Sequence, residues 1–114
     1  MALVGATERD GALGAIVYRN LEAGGLRGGL YLVNPKHRTI FGQRAYARLT
    51  DLPRPPDLAV IVTPARTVPG IIEDAGAARI PAAVVLTSGF GEAGREGVAL
   101  QERVLGIARQ ARVR

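Results

Sequence analysis

Four short apolar runs are spaced along the chain: Leu3-Val4, Leu30 to Val33, Leu58 to Val62 and Ala82 to Leu86. Each is continuous rather than alternating, the pattern of strands buried on both faces of a parallel sheet. Between the runs the apolar period changes to that of a helix. Leu13, Ile16, Val17, Asn20 and Leu21 fall on one helical stripe with one polar interruption, and Gly24-Gly25 stops it. Val68, Ile71, Ile72 and Ala75 repeat the stripe behind Thr67, which suits an N-cap, with Pro69 tolerated in the first turn. Leu100, Val104, Ile107, Ala108 and Ala111 make a third stripe.

Strands alternating with helices predict an α/β fold, because right-handed crossovers turn the alternation into a mainly parallel sheet with helices on both faces. Segment 39–56 breaks the alternation. Thr39 to Phe41 and Ala45-Tyr46, followed by the turn-rich stretch Asp51 to Asp57, predict a short extension or an edge hairpin and then a connection to the next central strand.

At 114 residues the chain is sized for one domain, and 47% hydrophobic with 22% charged residues is a globular composition. The absence of cysteine excludes a disulfide framework, a thiolate metal site and a cysteine nucleophile. Fifteen Lys and Arg against ten Asp and Glu leave a charge of +5, which favours an anionic partner. Arg103, Arg109, Arg112 and Arg114 crowd the end of the third helix, where they complement its dipole and face solvent; a nucleic-acid contact is the weaker reading. The longest uncharged run, Ile80 to Gly91, is too short for a membrane span, and the first ten residues lack a signal-peptide pattern. The expectation is a cytoplasmic domain with no membrane partner.

Candidate chemistry collects at strand ends. The first strand runs into Gly5 to Gly14 and then into a helix, a context in which glycines permit close backbone approach and helix N–H groups hold a phosphate. The spacing departs from the dinucleotide fingerprint, since Arg9 stands where a middle glycine belongs. After the second strand comes Val33-Asn34-Pro35-Lys36-His37-Arg38, with no carboxylate to receive ribose hydroxyls and three groups able to carry positive charge. That composition suits an adenosine bearing an extra phosphate, as in NADP or coenzyme A. The ends of the third and fourth runs add Thr63-Pro64 and Ser88-Gly89, small residues and hydroxyls on the same sheet edge. His37 is the only histidine, and neither paired carboxylates nor metal-ligand spacing occurs, so no catalytic residue and no metal site is assigned.

Val4-Gly5-Ala6-Thr7, Tyr31 to Lys36, Phe41 to Tyr46, Asp51-Leu52-Pro53, Pro56 to Ala65 and Ala83 to Glu92, taken in order, resemble the CoA-binding domain of NDP-forming acyl-CoA synthetases. These belong with the succinyl-CoA synthetase α-subunit, and the likeness is greater to ADP-forming acetyl-CoA synthetases and to protein acetyltransferases that carry the same module. The resemblance implies a single Rossmann-like CoA-binding domain over residues 1–114, with CoA or acyl-CoA as ligand. By it, Gly5, Ala6, Thr7, Arg9 and the turn up to Gly14 would hold the CoA diphosphate. Val33, Asn34, Pro35, Lys36 and Arg38 would meet the adenosine and its 3′-phosphate. Thr63, Pro64, Ser88 and Gly89 would border the adenine and the pantetheine path. The family's phosphohistidine lies in a later domain, and His37 does not match it. The chain is therefore expected to be a domain of a longer synthetase or acetyltransferase, or a stand-alone CoA binder. Either would meet its catalytic partner domains in cis or in trans and perform no ligation alone. An NADP-binding redox or redox-sensing domain is the alternative. Gly14 is expected to serve the ligand more than the fold.

Overall fold

The structure, a computed structural model, describes residues 1–8, 12–23, 30–86 and 94–114. Its elements are β1 (Ala2–Val4), α1 (Leu13–Ala23), β2 (Tyr31–Val33), β3 (Thr39–Ile40), β4 (Gln43–Tyr46), β5 (Ala59–Ile61), α2 (Val68–Ala77), β6 (Ala83–Val85) and α3 (Arg95–Ala111), with 3-10 turns at Leu49–Asp51 and Ala65–Thr67. The strands form one sheet in the order β3-β4-β2-β1-β5-β6. Every pairing is parallel except that of β3 with β4.

Alternate strand residues feed opposite cores, as the pleat requires. Ala2, Val4, Val33, Ala59 and Ile61 pack with Val68, Ile72 and Ala75 of α2 and Val104 of α3. Leu3, Leu32 and Val60 pack on the other face with Tyr18 of α1, Ile40 and Ala45. The continuous apolar runs thus reflect strands covered on both sides. β6 departs from this: Ala83 and Val85 meet the α2–α3 core, whereas Val84 is 43% exposed and Leu86 48%. Two helices cover one face and α1 alone the other, so this side of β6 stays about half exposed.

The predicted edge hairpin is β3–β4, with Phe41 and Gly42 at φ 50° and 73° between its strands. Two positive φ values in the central positions make the I′ turn whose twist matches a hairpin. The Phe41 ring stacks on Tyr18 at 4.5 Å, its N–H donates to Glu8 at 2.6 Å, and Gln43 donates to the Tyr18 hydroxyl at 2.8 Å. α1 therefore holds the hairpin against the sheet.

The helical stripes need one correction and one refinement. α1 buries Gly14, Ala15 and Tyr18, while Leu13 and Ile16 are over 40% exposed. Its inner face is turned by one residue, roughly 100°, from the apolar stripe, because the helix approaches β1 too closely for a branched side chain. Thr67 precedes α2 as expected but caps no N–H. It sits in helical backbone, and its hydroxyl donates to the Pro64 carbonyl at 2.6 Å and shares a hydrogen bond with the Thr63 hydroxyl at 2.7 Å. α3 follows its stripe, with Val104 buried and Ala111 set against Gly76 of α2.

α2 and α3 stop in the same way. Arg79 and Arg112 each take φ 60°, and the next residue, Ile80 or Val113, is buried and donates back to Ala75 or Ala108 at 2.9 and 2.8 Å. Left-handed backbone at the position after a helix usually falls to glycine, and a side chain there costs about 1 kcal/mol. Arg79→Gly and Arg112→Gly are each expected to raise unfolding free energy by about 0.5–1 kcal/mol, read as a higher urea midpoint at unchanged slope. A lower midpoint would mean that the arginine side chains contribute more than their backbone conformation costs.

Candidate functional site

β1 lies between β2 and β5, so the chain leaves the sheet centre in opposite directions on its two sides. In open α/β sheets such a switch point leaves a crevice at the carboxyl edge of the strands. A cleft of about 770 Å³ occupies that place, lined by residues that follow β1, β2 and β5 and by the start of α1. Gly5, Thr7, Gly14, Asn34, Pro35, Lys36, Thr63 and Pro64 all lie on its wall, gathered from four separate stretches of sequence.

Other candidates fall elsewhere. Ala6 is fully buried behind the wall, and Val33 lines a smaller cavity of about 250 Å³ that shares Gly5, Pro35, Thr63 and Thr67 with the cleft. Arg38 is exposed just beyond the cleft and forms no part of its lining. Arg9, Ser88 and Gly89 lie outside the described residues. The structure adds Ala12, Leu13, His37, Val62, Arg66 and Thr67 to the lining. Leu13 stands on the apolar stripe of α1, yet it lines the cleft because the helix face is rotated. Arg66 carried no signal, since a lone arginine after a strand has no pattern until the sheet order brings it opposite Lys36.

Two glycines shape the floor. Gly5 has φ +100°, and a Cβ there would stand 2.9 Å from Val62 Cγ2 and 3.1 Å from Thr63 Cγ2. At Gly14 a Cβ would overlap the Gly5 carbonyl oxygen and crowd Thr7 Cγ2 at 3.2 Å. This corrects the expectation for Gly14: its bare backbone is what lets α1 seat on the end of β1, a folding role. In the dinucleotide fingerprint the first glycine makes the turn and the last the helix–strand contact; Gly5 and Gly14 do the same across a longer loop.

Asn34 is a framing residue. Its side-chain amide donates to the Ala6 carbonyl at 2.9 Å, and its Oδ1 accepts the Lys36 N–H at 2.8 Å. The first bond ties the β2 loop to the β1 loop, and the second is an Asx turn that points the chain at Lys36. On the β5 side the Thr67 hydroxyl bonds described above hold Thr63, Pro64 and the 3-10 turn together.

The rim is basic. Lys36, His37 and Arg66 line the cleft, and no carboxylate is among the described residues of its wall. Arg48 and Asp74 close the smaller cavity with a two-point ion pair, one arm at 3.0 Å. The hydrogen bond to Asp74, and then its charge, hold the Arg48 guanidinium above arginine's ordinary pKa. Among the described residues no cluster of His, Cys, Asp or Glu could hold a metal ion, and no helix is long and apolar enough to cross a membrane. A further groove of about 630 Å³ beside Tyr18 and Phe41 carries both Arg19 and Glu22 and lies off the strand ends.

Gly14→Ala is expected to lower stability by about 1–3 kcal/mol, with Gly14→Val worse, through overpacking against Gly5. Urea denaturation followed by circular dichroism measures this. Variants with wild-type midpoints would return Gly14 to a purely ligand-facing role.

Comparison with known proteins bears on the cleft's ligand. The chain is 38% identical over 108 residues to an ADP-forming acetate–CoA ligase of Archaeoglobus fulgidus, covering 95% of this chain and 16% of that ligase. It is 33% identical over 110 residues to an ADP-forming 4-hydroxybutyrate–CoA ligase of Nitrosopumilus maritimus, covering 96% of this chain and again 16% of the relative. A solved structure of dinucleotide-forming acetyl-coenzyme A synthetase 1 from Ca. Korarchaeum cryptofilum superposes with a TM-score of 0.90 at 36% identity, over 99% of this chain and 25% of that one. Residues 1–114 match throughout the family described as CoA binding domain. With a Rossmann-like sheet, a basic cleft at its switch point and this match over the full length, the chain belongs to the CoA-binding domain family, whose ligand is coenzyme A.

Proposed function

We propose that this chain forms the coenzyme A site of a longer NDP-forming acyl-CoA synthetase, or of an acetyltransferase carrying the same module. The observation that carries the reading is the cleft at the switch point, with Lys36, His37 and Arg66 on its rim and no carboxylate on its described wall. The ADP-forming CoA ligases that it resembles are about six times its length, which supports a role as one module among several. The absence of cysteine fits work in the reducing cytoplasm.

On this reading the chain binds and orients the thiol substrate, and the acyl chemistry belongs to partner domains in cis or in trans. Thr7 and the start of α1 receive the diphosphate, with N–H groups and the positive end of the helix dipole directed at it. Lys36 meets the 3′-phosphate, its backbone fixed by the Asx turn of Asn34. Arg38 adds longer-range attraction from outside the wall. Thr63 and Pro64 border the adenine and the path of the pantetheine arm. Nothing in the geometry favours the NADP alternative, and it is kept as an outcome of the test.

Calorimetric titration of CoA, dephospho-CoA, NADP and NAD against the wild type, Lys36→Ala and Arg38→Ala provides that test. A charge-assisted hydrogen bond contributes about 1.5–3 kcal/mol, so dephospho-CoA should bind roughly ten to a hundred times more weakly than CoA. Lys36→Ala should abolish most of that preference, and Arg38→Ala only a minor part. Equal binding of CoA and dephospho-CoA by the wild type would remove the phosphate role from this strand end. Tighter binding of NADP than of CoA would hand the cleft to a redox function.

A further inference from the structure

Arg66 belongs to none of the motifs by which the cleft was recognised, yet it lines the wall on the side opposite Lys36. Its turn, Ala65–Thr67, leads directly into α2 and is fixed by the Thr67 hydroxyl bonds to Pro64 and Thr63. The side chain is exposed, and no ion pair neutralises it among the described residues. Arg48 offers the contrast, since its guanidinium is taken up by both oxygens of Asp74.

Sheet order sets the distance between the two cationic flanks. Lys36 follows β2 and Arg66 follows β5, with β1 between them. Neighbouring strands are about 4.8 Å apart, so the two strand ends stand about 10 Å apart across the edge. Two unneutralised cations on opposite flanks suit a ligand with two separate anionic centres better than a single phosphate. Coenzyme A has them: a 5′-diphosphate and a 3′-phosphate on opposite sides of one ribose. The described stretch between the flanks, Gly5 to Thr7 with Ala12 to Gly14, offers backbone N–H groups and a hydroxyl but no cationic side chain. Glu8, in the loop after β1, accepts the Phe41 N–H of the hairpin.

We infer that Arg66 is a specificity residue for the diphosphate of the bound coenzyme, so that the two flanks divide the phosphates, Lys36 reading the 3′ group and Arg66 the 5′ group. This rests on the coenzyme A reading above. Arg66 touches neither the thiol nor any reacting atom; it fixes where the nucleotide end lies, and through it the direction in which the pantetheine arm leaves the cleft.

Titration of CoA, dephospho-CoA and pantetheine against the wild type, Arg66→Gln and Arg66→Lys tests the division. Arg66→Gln should lose roughly tenfold or more in affinity for CoA and for dephospho-CoA alike, as expected for one charged hydrogen bond to phosphate. The ratio between the two ligands should stay at the wild-type value, pantetheine binding should be unmoved, and Arg66→Lys should recover most of the loss. Unchanged CoA affinity in Arg66→Gln overturns the inference and leaves the coenzyme A reading standing. A collapse of the CoA to dephospho-CoA ratio assigns Arg66 to the 3′-phosphate instead, and an equal loss for pantetheine assigns it to the fold; both overturn the division. A wild-type chain that does not bind CoA overturns the coenzyme A reading and this inference together.

Discussion

The contact between Gly14 and the Gly5 carbonyl is the constraint on which the other features of this domain depend. It sets how near α1 comes to the end of β1, and so which face of the helix turns inward. With Gly14 and Ala15 at the contact, the inward residue one turn later is Tyr18, the largest side chain α1 buries. Tyr18 then carries the hairpin, through its stack with Phe41 and the Gln43 hydrogen bond. The same contact turns Leu13 toward the cleft and brings the first N–H groups of α1 over the strand ends. Core packing and the floor of the site are therefore one arrangement of backbone, and a methyl group at position 14 would disturb both.

Electrostatics on the cleft side runs opposite to its treatment elsewhere. Arg48 and Asp74 neutralise each other at the mouth of the smaller cavity, and Glu8 is engaged by the Phe41 N–H of the hairpin. On the cleft rim Lys36, His37 and Arg66 face a common space without a carboxylate among the described lining residues. Lys36 and Arg66 are like charges on one rim, and their repulsion weakly opposes folding; a phosphorylated ligand relieves that repulsion and lends part of its binding free energy to the folded state. Exposed pairs such as Arg48–Asp74 contribute little by themselves. Its position, bridging the segment after β4 to α2, matters more for keeping the smaller cavity in shape.

The two faces of the sheet are unequal. α2 and α3 pack closely through Gly76 and Ala111, and Val68, Ile72, Ala75 and Val104 close one core over the strand residues. The other core depends on α1 and the hairpin, and it does not extend to β6, where Val84 and Leu86 remain about half exposed. Arg114 runs alongside that strand, donating to Pro81 and accepting from Ala83. The relatives that it matches are several times longer, and this domain is a small fraction of each.

The sequence by itself determined the architecture. Runs such as Leu58 to Val62 are apolar at every position because both faces of the strand are covered, and the helical stripes of α2 and α3 follow a period that only a helix satisfies. The Gly5 loop, the carboxylate-free end of β2 and Thr63-Pro64 were legible because local chemistry at a strand end is written in consecutive residues. The role of Gly14, the rotation of α1 and the membership of Arg66 in the cleft were not. A glycine needed for packing and one needed for a ligand look identical in a sequence, and an apolar stripe names the inner face of a helix only when side chains, rather than bare backbone, make the contact. Arg66 and Lys36 are thirty residues apart in the chain. Their juxtaposition follows from β1 lying between β2 and β5, a fact of strand order that no local pattern records.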